Sequence, residues 1–221
     1  MRPLPQPDRI APFANRDEAA MMLAAKLDGY RNTDALVLTV PPNVYMGKQV
    51  AATLGLRSRP MPCLEIRHPA NRNLSIGSVC LRNVVLHDAG RDIPQEYIQH
   101  AIARLRAKIQ RDMKEGSNAG ATESYRGKTL IVVSDWLKTA DRIHACLDHI
   151  REELPARIVI ATAVVSPHAV PELRELADEV IYLVEDDEVS LPQYYFGPEK
   201  EGRRGQAPRR DIQIRPSHNY A

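Results

Sequence analysis

The sequence predicts a doubly wound α/β fold, a mainly parallel sheet with helices on both faces and a small β-rich insertion. Three observations carry this. Short, almost continuously apolar runs at Ala35 to Val40, Thr129 to Val133, Arg157 to Val165 and Glu179 to Val184 read as strands covered on both sides. Segments of helical periodicity lie between the last three, and strand–helix alternation of that length implies parallel pairing through right-handed crossovers. At 221 residues, 43% hydrophobic and 26% charged, the chain can bury one substantial core. One α/β domain over residues 15–198 is expected, with an extended arm at 1–14 and a basic tail at 199–221.

The opening MRPLPQPDRIAPF is rich in proline, which fixes φ and supplies no amide donor, so an extended arm follows. From Asp17 to Tyr30 the apolar positions Leu23, Leu27 and Tyr30 share a helical face, and Asp17 and Glu18 suit the positive end of the helix dipole. After the strand at Ala35 a turn, PPNVYMG, precedes a helix carrying Val50, Ala51 and Leu54. MPCLEI, a polar loop RHPANRN and the β-rich SIGSVCLRNVVL form the insertion. Pro94 to Glu115 places Ile98, Ile102, Leu105, Ile109 and Met113 three and four residues apart, a long amphipathic helix with a capping box expected from Asp92 and Gln95. EGSNAGATESYRG has no periodicity and three glycines, and reads as a loop. Ala140 to Leu154 forms a helix with Ile143, Leu147, Ile150 and Leu154 inward, and Val170 to Ala177 another.

A net charge of +2 and a pI near 8.4 give no global field of the kind that marks nucleic-acid or membrane-surface proteins. The N-terminus lacks the apolar core of a signal peptide, and no run approaches the roughly 20 apolar residues of a membrane span. A soluble cytoplasmic protein is expected. Cys63, Cys80 and Cys146 are odd in number and lie in apolar segments, so they read as reduced core thiols. His144 and His149 are five apart, the wrong spacing for a metal pair on a helix, and no metal site is expected. Ser134 and Ser166 end strands but sit in no glycine-flanked nucleophile elbow.

Ligands of doubly wound sheets bind beyond the carboxyl ends of the strands, which points to the turns after Val40, Val133 and Val165. The turn SDWLKTADR, Ser134 to Arg142, leads from strand to helix, where unpaired amides and the helix dipole favour a phosphate. Asp135 suits ribose hydroxyls or a magnesium-bound ligand, and Thr139 is placed to cap the helix through the amide of Asp141 or Arg142. Lys138 and Arg142 supply positive charge, and Asp141 in the first helical turn opposes it.

LIVVSDWLKTADR resembles, heavily substituted, the phosphoribosyl-pyrophosphate loop of type I phosphoribosyltransferases: a strand, two acidic residues, glycine, a short turn, threonine-glycine and a helix. ALVLTVPPNVYMGKQVAATL is similar to that family's strand, pyrophosphate loop and helix, EIRHPANRNLSIGSV to its basic strand end, and AVVSPHAVPEL with ADEVIYLV to its last strands. QYYF stands where the family carries an aromatic pair. The resemblance spans Arg16 to Phe196 and implies the type I phosphoribosyltransferase fold, phosphoribosyl pyrophosphate as substrate class, magnesium as its companion ion and a base-like acceptor.

Carried over by position, the resemblance makes Ser134, Asp135, Trp136, Leu137, Lys138, Thr139, Ala140, Asp141 and Arg142 the phosphate and ribose segment, with Asp135 the one remaining catalytic carboxylate. Ser134 replaces the first acid, and Trp136 and Ala140 replace glycines. Trp136 either fills the vacated sugar pocket or stacks on a flat ligand base. Pro41, Pro42, Asn43 and Val44 are a pyrophosphate-loop remnant without its arginine and glycines, and Arg67 and His68 match the family's basic anion contacts. The expected function is a phosphoribosyltransferase homologue that binds a phosphorylated sugar or nucleotide-like anion with weak or lost transferase activity. A non-enzymatic interaction protein on the same fold, or an active transferase with an unusual acceptor, are the alternatives. A homo-oligomer or protein partner is expected, with no membrane. The tail residues Lys200, Arg203, Arg204, Arg209, Arg210 and Arg215 are a secondary candidate for nucleic acid.

Overall fold

A computed structural model describes residues 11–41, 43–72, 74–81, 83–87, 90–117, 124–187 and 194–197. The basic tail, Pro42, most of the N-terminal arm and the middle of the glycine-containing loop lie outside the described residues. Helix α1 (Arg16–Lys26) is capped by Asn15, whose side chain accepts from the Glu18 amide, and a 3-10 turn, Asp28–Tyr30, follows it. Strand β1 (Leu36–Thr39), helix α2 (Tyr45–Leu54) and strand β2 (Arg57–Pro60) make the first crossover. Strands β3 (Cys63–Arg67), β4 (Ser75–Cys80) and β5 (Val84–Leu86) form a separate antiparallel sheet, followed by helix α3 (Gln95–Ser117). The second half runs β6 (Thr129–Leu137), α4 (Asp141–Arg151), β7 (Arg157–Val165), α5 (Val170–Leu176) and β8 (Glu179–Glu185).

The main sheet has the order β2-β1-β6-β7-β8, and every pairing in it is parallel. The doubly wound prediction therefore holds, with the small sheet as the β-rich insertion. One face packs against α1 and α2 through Leu23, Val50, Ile131 and Val159. The other packs against α4 and α5 through Val132, Ile143, Leu147 and Leu173, and the start of β3 and end of β4 join this core. The small sheet covers α3 with Ile66, Ile76 and Val79 against Ala101 and Ile109.

One strand is added to the expected set, and three local expectations are corrected. The segment Arg57–Pro60 is a strand although it reads RSRP, because an edge strand with one paired side tolerates charge and a proline. Helix α2 starts at Tyr45, inside the segment expected as a turn. Gln95 is the first residue of α3, so Asp92 stands too far upstream to form a capping box with it. Leu154 is not inward: α4 ends at Arg151, and Leu154 is exposed with φ of 56° in the connection to β7.

The side-chain alternation of three strands changes phase at one level. Val133 and Trp136 face the α1/α2 core, as do Ala163 with Val164 and Leu183 with Val184, whereas strict alternation would send the later member of each set to the other face. Leu137 and Val165 then face the α4/α5 core. The ladder registers of β6 with β7 and of β7 with β8 keep the same offset past this level, so the extra residue is present in each strand. Ser134 Oγ donates to the Trp136 carbonyl at 3.0 Å and Thr162 Oγ1 to the Val164 carbonyl at 3.0 Å, the same local bond on adjacent strands.

Gly47 lies where α2 crosses β1, and a Cβ there would meet Thr39 Cγ2 at 2.5 Å. Gly47→Ala is expected to destabilise by about 1–3 kcal/mol, read as a lower urea midpoint with unchanged m-value. Tyr30 donates to Glu179 Oε2 at 2.9 Å, which also takes Arg157 Nη2 at 3.0 Å. Burial, and then the bond to Glu179, raise the Tyr30 pKa above its ordinary value. The folded chain thus holds that proton longer than the unfolded chain does, so this contribution is intact below about pH 10 and is lost as pH rises through the folded pKa. Urea midpoints from pH 8 to 11 should fall less steeply for Tyr30→Phe than for the parent.

Candidate functional site

Because β2 leaves β1 in one direction and β6 lies on the other side, the sheet reverses its winding between β1 and β6, and ligands of doubly wound sheets bind beyond the carboxyl ends of strands at such a point. Two segments singled out in the sequence meet there. Val40 donates its amide to the Val133 carbonyl at 3.0 Å, and Asn43 Nδ2 donates to Asp135 Oδ2. Asn43 is itself held, since its Oδ1 accepts from the Tyr45 amide at 3.1 Å as α2 begins.

Asp135 lies within β6 rather than in the turn after it, and is 4% exposed. A carboxylate so buried needs compensation. Arg16 at the start of α1 provides it, with Nε 2.9 Å from Asp135 Oδ2. The Arg16 guanidinium also lies over the Phe196 ring, 4.7 Å from its centroid, a cation–π contact. Phe196 stacks on Phe13 with centroids 5.7 Å apart. Phe13 and Phe196 form a parallel bridge, with the Phe13 amide on the Tyr195 carbonyl at 3.1 Å and the Gly197 amide on the Phe13 carbonyl at 3.0 Å. Tyr195 is buried and donates to Asp186 Oδ2 at 3.1 Å. Two segments from opposite ends of the domain thus strap the arginine onto the carboxylate.

The remaining predicted residues divide by position. Ser134 is buried and its hydroxyl is spent on the Trp136 carbonyl. Trp136 is half-buried and packs on the α1/α2 core, on the Asp135 side, where the change of phase puts it. Leu137 is a buried core residue of the other face. Lys138 and Thr139 are exposed in the turn. Thr139 is not the cap of α4: Ala140 holds that position, in a helical conformation and without a side-chain hydrogen bond. The cause is the length of β6, which runs to Leu137 and leaves only three residues before the helix. Asp141 occupies the first turn with Oδ2 3.6 Å from His87 Nε2, and Arg142 follows it in the helix.

Pro41 follows β1, two residues before Asn43, and Val44 precedes α2 in a helical conformation. Arg67 and His68 serve their own hairpin. Arg67 pairs with Glu65 and donates to the Arg72 carbonyl at 3.2 Å, and His68 Nδ1 accepts from the amides of Ala70 and Asn71 at 3.1 and 3.2 Å. His144 faces Glu172 at 3.3 Å. At the end of β8, Glu185 accepts from Tyr182 and Asp186 from Tyr195.

Sequence reasoning missed Arg16, because nothing local distinguishes it from any basic residue in a first helical turn. Asp135→Asn is expected to destabilise by about 2 kcal/mol, since it strands a partly buried guanidinium, scaled down because Arg16 keeps some contact with water. Arg16→Met should lose a similar amount, and a double-mutant cycle on urea midpoints should return a coupling of about 1–2 kcal/mol.

A family model described as the phosphoribosyl transferase domain matches residues 77–195. The crystal structure of the protein TT1426 from Thermus thermophilus superposes with a TM-score of 0.60 at 26% identity, over 83% of this chain and 89% of that one. A purine phosphoribosyltransferase from Pyrococcus horikoshii superposes with 0.45 at 13% identity, over 78% of this chain and 83% of that one. A hypoxanthine phosphoribosyltransferase from Staphylococcus aureus gives 0.43 at 11% identity, over 76% of this chain and 73% of that one.

Proposed function

The chain belongs to the phosphoribosyl transferase domain family, and we propose that it is a homologue that binds a phosphate-bearing small molecule with weak or lost transferase activity. One observation carries the reading: the carboxylate matched to the family's ribose-binding acid is already engaged from within the chain. Asp135 holds Arg16 and Asn43 on the same oxygen, Oδ2. A ribose diol arriving at this carboxylate has to displace a guanidinium that is also held by Phe196, and loses a charge-assisted bond in doing so.

Magnesium is a poor fit to these residues. Ser134 stands where the first acid would be, with its hydroxyl turned to the Trp136 carbonyl, and a cation at Asp135 would have to share one carboxylate with Arg16. Oxygen donors of negative charge are what such an ion requires. No chemical step is therefore assigned through the ion.

The turn supports phosphate binding on separate grounds. Helix α4 begins without a side-chain cap, so its first amides remain available to an anion. Lys138 and Thr139 are exposed beside them. Asp141 opposes an incoming dianion and the exposed Lys138 offsets it, which suits a ligand held by its phosphate and by few other groups.

Calorimetry with ribose 5-phosphate, and with phosphoribosyl pyrophosphate and magnesium, is the test. Saturable binding weakened roughly tenfold in Lys138→Ala is expected, the loss of one charge-assisted bond, with no pyrophosphate released over a panel of nucleobases. Robust turnover with any base would overturn the inactivity, and absence of binding by any phosphate ester would favour an interaction protein that uses the fold as a rigid body.

A further inference from the structure

The three cysteines of the chain, far apart in sequence, meet at one point. Cys63 begins β3, Cys80 ends β4 as its direct cross-strand partner, and Cys146 lies in the middle of α4. All three are buried to 1% exposure or less, and their sulfurs lie within 4.8 Å of one another. Cys80 Sγ and Cys146 Sγ are 2.7 Å apart, inside ordinary sulfur–sulfur contact and within about 0.7 Å of a covalent bond. The core that holds them is aliphatic, with Leu36, Leu38, Val132 and Leu147 among its members.

From this arrangement we propose that Cys80 and Cys146 form a disulfide under peroxide, a modification that bolts the small antiparallel sheet to the helix carrying the candidate phosphate turn. The choice between the chemistries open to three sulfurs rests on charge. Three thiolates around a soft cation such as a monovalent or divalent metal leave net negative charge in an aliphatic core, where an uncompensated charge is strongly disfavoured. A cystine is neutral and matches its surroundings. Burial, reinforced by hydrogen bonds with Cys63 and Cys80, pushes the Cys146 thiol well above its ordinary pKa, so Cys146 is a neutral thiol in the reduced chain.

The step balances with hydrogen peroxide as oxidant. One thiolate attacks a peroxide oxygen, giving a sulfenic acid and hydroxide, and the second thiolate then displaces hydroxide from that sulfur. The S–S bond forms, the O–O bond breaks, and the two electrons with the two thiol protons leave as part of two waters. Cys63 remains a thiol beside the new bond. The bridge closes a loop between positions 66 residues apart, which restricts the unfolded chain far more than the folded one.

The full reduced chain is treated with hydrogen peroxide, then unfolded in guanidinium with iodoacetamide. One alkylated cysteine in place of three is expected, with the tryptic peptides of Cys80 and Cys146 joined, and the urea midpoint of the oxidised chain should rise above that of the reduced chain. Cys63→Ala should give the same cross-link, and Cys146→Ala none; should Cys146→Ala fail to fold, Cys63→Ala still decides the pairing. Three alkylated thiols after oxidation, a cross-link that contains Cys63, or one metal ion per chain in native mass spectrometry would each overturn the proposal.

Discussion

The carboxylate of Asp135 sits at the end of a central strand with almost no access to water, and the molecule is arranged around keeping it compensated. Arg16 cannot reach it unless α1 starts beside β6, and α1 is held there by Asn15 and by the pairing of Phe13 with Phe196. The guanidinium lies between the carboxylate and an aromatic face, so charge, polarisable surface and chain connectivity meet on one side chain. A buried pair of this kind adds little net stability over a hydrophobic substitute, but leaving either half alone is costly. The arrangement therefore constrains the two chain segments to remain together more than it strengthens the fold.

That constraint bears on the proposed site. In the proposed reading Asp135 is the acid a sugar would meet, and its partner is already built into the chain. The remaining anion-attracting features lie on the other side of the turn, on exposed Lys138, Thr139 and the uncapped start of α4. The internal contacts of Asp135 and the proposed anion contacts at the turn are separated along the chain by Trp136 and Leu137, so under the proposed reading an anion at the turn need not displace Arg16.

The legibility of the sequence followed the physics of each element. Strands β1, β6 and β7 were readable because both faces of a central parallel strand must be apolar, and β8, although an edge strand, because Ile181 and Leu183 pack against the α1/α2 core. Strand β2 was not: Arg57–Pro60 lies at the other edge and buries no side chain, so its pattern carries no signal. The expected cap at Thr139 failed because strand pairing carried β6 as far as Leu137, past the polar Ser134 and Asp135 that read as the end of the strand. Asp135 could be nominated from a fold rule about strand ends, and Asn43 from the family resemblance of its turn. Arg16 could not, since its role depends on a contact 119 residues away, and the meeting of three cysteines likewise depends on how the hairpin lands on α4.

The added residue shared by β6, β7 and β8 has a consequence for how this corner can change. A kink confined to one strand would put its neighbours out of step, whereas the same kink repeated at the same level lets three strands bend as one. Trp136 shares a side with Asp135 because of it. Straightening β6 alone would swing the indole across the sheet and at the same time break step with Ala163 and Leu183, so the surroundings of the carboxylate are a joint property of three strands and can be remodelled only by altering all of them.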